Sequence, residues 1–355
     1  MRLPDGRIVL ATDVSDVHGL SPFNAAVKST LVGKMGLTVR RCRRAPMIAL
    51  RSRRADRADR SRLPPPDARR SFRTVYVVPV GPGEWPMLRD TIESILHYEG
   101  ADAKVVVADD DSVDSRAAVV RAAFPEVDVI RSLWPSCGAF RIFPMLARTI
   151  RICLERYDFE VLGKVDTDAL MTGPGLGRYA SGRFRNDPRL GMVGTYRVRG
   201  DGVPEDYSLD RWLLSHQLRH SPGLRDLVDA ARSSGYDGGK CMGGLYLLSR
   251  EALEAADRCG LLRRRLPWWL VLGEDTRFSL VTLACGFGLG SIGGPGEPTM
   301  AGLNNLPMRK EDVRREGKLA VHSTRRGMEG ETEDELRAYF RAIRETEAPA
   351  REPGP

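Results

Sequence analysis

The sequence predicts an α/β fold built around a largely parallel sheet. From residue 74 onward, short β-branched runs alternate with amphipathic helical stretches, the pattern of strand, crossover helix and parallel strand. Two acidic clusters, "DDDSVD" at 109–114 and "DTD" at 166–168, each close one of the strand-like runs. In open parallel sheets ligands sit beyond the carboxyl ends of strands, so this shared placement carries more weight than either cluster alone.

The elements follow in order. "TVYVVPV" (74–80) has the length and composition of a buried strand, and in the stretch after it Leu88, Ile92, Ile95 and Leu96 share one helical face, with Gly100 at the expected stop. Next come a strand "KVVVADD", a helix over 115–123, a strand "VDVIR", a helix over 139–156 that Pro144 should interrupt, and a strand "FEVLGKVD". In the second half "GMVGTYRV" reads as a strand and 208–220 as a helix capped by Ser208. "GGLYLLSREALEAADRCG" is a strand turning into a helix, with Ser249 as N-cap and Gly260 as stop. "GEDTRFSLVTLACG" starts a helix with two acids, "SIGGPGEPTMAGLNNLP" is too rich in Gly and Pro for regular structure, and "KLAVHST" ends in His322. Thr332 and Glu335 form the signature of a capping box for a last helix.

A chain of 355 residues with 42% hydrophobic content belongs among globular proteins of one or two domains. No apolar run approaches the roughly 18 residues of a membrane span, and no signal-peptide core opens the chain. The six cysteines show no CxxC spacing, which disfavours a zinc module and fits reduced thiols and a cytoplasmic location, with peripheral contact to a membrane as an added option. The net charge of +8 is unevenly spread: the first 73 residues hold 17 Lys and Arg against 6 Asp and Glu, and the remainder 38 against 41. The basic character thus belongs to an N-terminal arm, which without interleaved aromatics does not argue for nucleic acid. The expected organisation is an arm and charged, proline-rich linker over 1–72, a main domain over 73–330 divided at 195, and a C-terminal helix and tail over 331–355.

Four constellations carry chemistry. Asp166 and Asp168, at i and i+2 after a strand, can share a divalent cation, or can cap the loop through backbone N–H groups. A phosphatase of the haloacid dehalogenase type would need Ser or Thr two residues beyond the second aspartate, where Leu170 stands. Asp109 and Asp110 can accept from base N–H or ribose hydroxyl groups, or can form a turn; no GxGxxG follows the first strand, which disfavours a dehydrogenase. Glu274 and Asp275, at a helix N-terminus that favours negative charge, can act on an acceptor hydroxyl, and "PWWLV" before them can shape an acceptor pocket or fill the core. His322 can ligate Mn²⁺ or Zn²⁺, or be a polar strand end.

Taken in order, "VVPVGPGEWPMLRDTIESIL", "ADDDSVD", "KVDTDAL", "GGKCMGGLYLLSREAL", "GED" and "AVHS" resemble the motifs of GT-A glycosyltransferases of the family 2-like group, over roughly residues 73–325. The resemblance implies a Rossmann-like nucleotide-binding half fused to an acceptor-binding half around one mixed, mostly parallel sheet. It implies a metal-dependent enzyme, of hexosyltransferase type and inverting, that moves a sugar from a nucleotide-diphosphate sugar to a hydroxyl of a saccharide, a lipid-linked molecule or a small molecule. Pro79, Val80 and Glu84 would line the nucleotide site, Asp109 and Asp110 would face the base or ribose, and Asp166 would contact the sugar or ribose. Asp168 and His322 would bind Mn²⁺ or Mg²⁺, Asp275 would deprotonate the acceptor and Glu274 would position it. Gly81-Pro82 and Asp111 depart from the family's pattern, and Arg148 and Lys164 are the only candidates for its basic segment before the aspartates. The alternative is an inactive copy of the fold that binds without turnover, tethered by its basic arm to RNA or anionic lipid.

Overall fold

The computed structural model describes residues 60–81, 85–110, 116–132, 142–264 and 272–348. Expectations for the N-terminal arm before residue 60, for Glu84, for Asp111 and for the "PWWLV" segment lie outside the described residues.

Three strands, β1 (Arg70–Val80), β2 (Ala103–Asp109) and β3 (Asp128–Arg131), lie side by side and parallel, and β4 (Tyr157–Val165) pairs with the other flank of β1, also parallel. Beyond β4 come β7 (Leu245–Ser249), β6 (Leu190–Gly194) and β8 (Gly288–Ser291), giving the order β3-β2-β1-β4-β7-β6-β8. Only β7 runs against its neighbours, antiparallel to β4 and β6. The fold is thus α/β with one mixed, mostly parallel seven-stranded sheet, as expected.

Both faces of this sheet are covered, which explains why β1 and β2 read as continuous apolar runs rather than alternating ones. Tyr76, Val78 and Val80 point to the face packed by α1 (Trp85–Glu99), α2 (Ala117–Ala123) and α4 (Leu176–Asn186). Val75 and Val77 point to the opposite core, formed with α3 (Ile142–Arg156), α6 (Pro222–Ser233), α7 (Arg250–Arg258) and α8 (Glu274–Ala284). Leu88, Ile92 and Ile95 of α1 are fully buried, and Gly100, at positive φ, follows the helix end. A smaller sheet, β5 (Ala169–Met171), β10 (Ala320–His322) and β9 (Thr299–Ala301), packs with α9 (Lys310–Arg315) and α10 (Glu333–Thr346) around Leu170, Met300, Val321, Leu336 and Phe340.

Several elements differ from expectation. Pro144 does not interrupt α3: it lies in the first turn, where a missing N–H costs no helical hydrogen bond. Ser208 is the first residue of α5 (Ser208–Leu218) rather than its cap, and its N–H donates to the Asp206 carboxylate. The Gly/Pro-rich segment contains β9, which exists because β10 offers it a partner edge. Residues 60–71 do not behave as a linker: Leu63 is buried in the main core, Arg156 donates to the Pro64 carbonyl, and β1 begins at Arg70. The caps at Ser249 and Thr332 form as expected. Cys153, Cys241, Cys259 and Cys285 are free thiols. No helix among the described residues is long and apolar enough to cross a membrane.

Candidate active site

The reversed direction of β7 builds the site. β4 ends at Val165 opposite Leu245, the first residue of β7, so the glycines before β7 meet the aspartates after β4. The Asp166 N–H donates to the Gly244 carbonyl at 2.7 Å, and the Gly243 N–H donates to Asp275 Oδ2 at 3.0 Å. The antiparallel pairing of β10 with β5 places His322 opposite Ala169, directly beside Asp168. Gly244 has φ +87°, and a Cβ there would stand 2.4 Å from the His322 ring, so both conformation and space require glycine.

One ligand atom from each of Asp166, Asp168 and His322 lies within 4.8 Å of the others. Nε2 of His322 is 3.2 Å from Asp168 Oδ1; Arg325 Nε is 2.7 Å and the donating Ser323 hydroxyl 2.9 Å from Oδ2. Burial alone would raise the Asp168 carboxyl, but these neighbours outweigh it and hold the group well below the usual carboxylate range. The Asp168 carbonyl accepts from the Thr324 N–H and hydroxyl, which fixes the turn from the other side.

Lys164, unexplained by its sequence context alone, turns out to join two motifs. Its ammonium, 2% exposed on β4, lies 2.7 Å from Asp166 Oδ1 and 3.0 Å from Glu274 Oε1. Burial would lower this lysine, yet the two carboxylates raise it above the ordinary value, so it stays charged. Lys240 is built the same way, 2.9 Å from Asp210 and 2.8 Å from Asp275, and its charge is likewise reinforced.

The two acids at the start of α8 therefore differ. Asp275 Oδ1 accepts from the Thr276 N–H at 2.7 Å, while Oδ2 accepts from Gly243 and Lys240. Burial acts to raise Asp275, but Lys240 and these donors win and its carboxyl lies below the ordinary value. Glu274 moves the opposite way: burial is the largest influence and, with Asp275 and Asp166 adding repulsion, outweighs Lys164.

The other expected site residues are less closely joined. Pro79 and Val80 end β1 at the same sheet edge, beside Ala108 and Asp109 of β2. Asp109 and Asp110 are buried there; Asp109 accepts from the Arg116 N–H, and the Asp110 N–H donates to the Val80 carbonyl. Arg148 donates to the Arg131 carbonyl at the end of β3. Lys240, Asp210, Ser323 and Arg325 were not singled out by motif. A lysine inside "GGKCMGG" and an arginine three residues after His322 are the signals that could have found two of them.

The residues present fit a divalent cation. Two carboxylates and an imidazole are a donor set suited to Mn²⁺, both carboxylates already attract cationic side chains, and the buried Nδ1 of His322 has no hydrogen-bond partner among the described residues.

No protein-family model and no curated protein matches this chain. Among solved structures it is similar to the mannosyltransferase PcManGT from Pyrobaculum calidifontis in complex with GDP-Man and Mn²⁺, at 17% identity and a TM-score of 0.39, covering 92% of this chain and 77% of that one. It is also similar to glucosyl-3-phosphoglycerate synthase from Mycobacterium tuberculosis in complex with Mn²⁺, UDP and glucosyl-3-phosphoglycerate, at 15% identity and a TM-score of 0.36, covering 67% and 72%. A third is a glycosyltransferase involved in the glycosylation of the major capsid of PBCV-1, at 12% identity and a TM-score of 0.40, covering 76% and 99%.

Proposed function

We propose that this protein is a metal-dependent glycosyltransferase that moves a sugar from a nucleotide-diphosphate sugar to an acceptor hydroxyl with inversion. The observation that carries the reading is the meeting of Asp166, Asp168 and His322 at the strand-end edge of the sheet, with Lys164 tying that cluster to Glu274. Asp168 and His322 would hold Mn²⁺ or Mg²⁺, with Asp166 shared between the cation, Lys164 and the donor's sugar or ribose. A cation there would offset the negative charge that develops on the departing diphosphate. Pro79, Val80, Asp109 and Asp110 would line the nucleotide site, with Glu84 a further candidate.

The acids of α8 would handle the acceptor proton. The resemblance to GT-A glycosyltransferases implies that Asp275 is the base and Glu274 the positioning group. The bonding of each group supports the exchange of these roles as a second reading. Asp275 is held by Lys240 and two backbone N–H groups and binds a proton weakly, whereas Glu274 has its proton affinity raised by burial. A base works best when its pKa approaches the operating pH. In either case the base takes the acceptor's hydroxyl proton as the oxygen attacks the anomeric carbon and the carbon–oxygen bond to the diphosphate breaks.

Incubation with a panel of nucleotide sugars, with and without Mn²⁺, tests this by release of nucleoside diphosphate. Release is expected only with the metal, and Asp168→Asn is expected to abolish it. Full metal-dependent turnover by Asp168→Asn would overturn the site assignment.

A further inference from the structure

We infer that Arg337, on the C-terminal helix, is a positioning residue for the metal-binding turn. The inference rests on the metal-site reading above. The carbonyl of Thr167, the residue between the two aspartates, accepts from Arg337 Nη2 at 2.5 Å and from the Thr91 hydroxyl at 2.9 Å. The next peptides are pinned as well: the Ala169 carbonyl shares the single Thr91 hydroxyl proton with the Thr167 carbonyl, and the Asp168 carbonyl accepts from Thr324. With its carbonyls tied down, the turn has little freedom to rotate the Asp166 and Asp168 side chains away from His322. The bond from Arg337 is charge-assisted and buried, which makes it the stronger of the two on Thr167.

Arg337 is itself held in place. Its side chain is 4% exposed; Nε donates to Glu333 at 2.9 Å and Nη1 to Asp90 at 3.1 Å. Arg341 and Arg344 also reach Asp90, so one buried carboxylate on α1 gathers three guanidinium groups from one face of α10. One cation would suffice to pair Asp90. Of the three, Arg337 is the one bonded to the turn, while Arg344 bonds to Asp90 and Glu93 of α1. Anchoring the helix and ordering the aspartates are therefore separable tasks, and Arg337 performs both. The fork of the guanidinium matters here, because a lysine ammonium cannot present the same planar pair of donors to Asp90 and Thr167 together.

The test is Mn²⁺ affinity, measured by titration calorimetry on the full chain, beside unfolding midpoints for the same proteins. Arg337→Met is expected to weaken Mn²⁺ binding by about 10-fold or more, the scale for residues that orient metal ligands from behind. Arg344→Met breaks the same Asp90 hub without touching Thr167, and is expected to lower the unfolding midpoint while leaving Mn²⁺ affinity within about twofold of the parent. Arg337→Lys should bind Mn²⁺ more weakly than the parent but more tightly than Arg337→Met, and its weaker binding than the parent carries the test if Arg337→Met does not fold. Arg337 variants with parental Mn²⁺ affinity, or an equal loss in Arg344→Met, would overturn the positioning role. A parent protein that binds no Mn²⁺ would instead remove the metal site itself, and the inference with it.

Discussion

Replacing Lys164 by Met keeps the aliphatic stem that fills the space on β4 and removes the ammonium that touches both Asp166 and Glu274. Breaking a buried ion pair by deleting one partner costs about 3–5 kcal/mol, because the other partner stays buried without compensation. Here two carboxylates are left behind, but they differ in their access to water. Asp166 is 31% exposed and recovers much of its hydration, whereas Glu274 is 12% exposed and recovers little. The stranded Glu274 therefore sets the magnitude, at the lower end of the range, about 3 kcal/mol at about pH 8.

That cost depends on pH. Burial already raises the Glu274 carboxyl, and loss of Lys164 raises it further by removing its main opposing charge. A carboxyl whose folded pKa lies above its unfolded value stabilises the fold fully below the unfolded pKa, and that contribution is lost as pH rises through the folded pKa. The variant's deficit against the parent should therefore shrink on going from about pH 8 to about pH 5, by about 1.4 kcal/mol for each unit by which the folded pKa rises within that window. Urea unfolding at both pH values, with matched m-values, measures it. A deficit below about 1 kcal/mol at the higher pH, or one that does not change between the two, would refute the claim that Lys164 is the charge that makes Glu274 tolerable in place.

Two further predictions address the site's construction. Gly244→Ala should lose Mn²⁺ binding and about 1–3 kcal/mol of stability, since a Cβ at φ +87° would meet the His322 ring at 2.4 Å; unchanged calorimetric titration with Mn²⁺ would contradict the close packing of glycine on histidine. Glu274→Gln and Asp275→Asn should separate the two base assignments: the variant of the true base should lose about 10²–10⁴-fold in kcat together with the acidic limb of the pH–rate profile, and the other should retain that limb.

Much of this was legible because the parts that build the edge are local. The period of Leu88, Ile92 and Ile95 marks α1, the valines of β1 and β2 mark strands buried on both faces, and Ser249 and Thr332 cap their helices through bonds three residues away. Where the deciding partner was distant in sequence, the local pattern misled or said nothing. "TMA" becomes β9 because Val321 lies beside Met300, and nothing in a segment full of Gly and Pro announces that edge. Arg337 lies 170 residues from the carbonyl it bonds, on a helix that reads as an appendage beyond the main domain. Asp210 stands on a helix that carries no motif and Lys240 in a loop, and only their meeting with Asp275 and Thr276 gives them a role.

The charges gathered at this edge give a reason for the whole arrangement. Lys164 bridges Asp166 and Glu274, Lys240 bridges Asp210 and Asp275, and Arg325 pairs with Asp168. Each lysine thus serves two carboxylates, and with every group ionised the five acids exceed the three cations by two charges. An anionic diphosphate approaching such an edge is repelled, since buried charges are poorly screened by salt. A divalent cation at Asp168 and His322 would match the excess and reverse the local field on the donor side, while the acids beside Lys240 on the acceptor side stay negative. On the proposed reading, the sharing of two lysines among four carboxylates is what leaves the site short of positive charge, and so makes donor binding conditional on the metal.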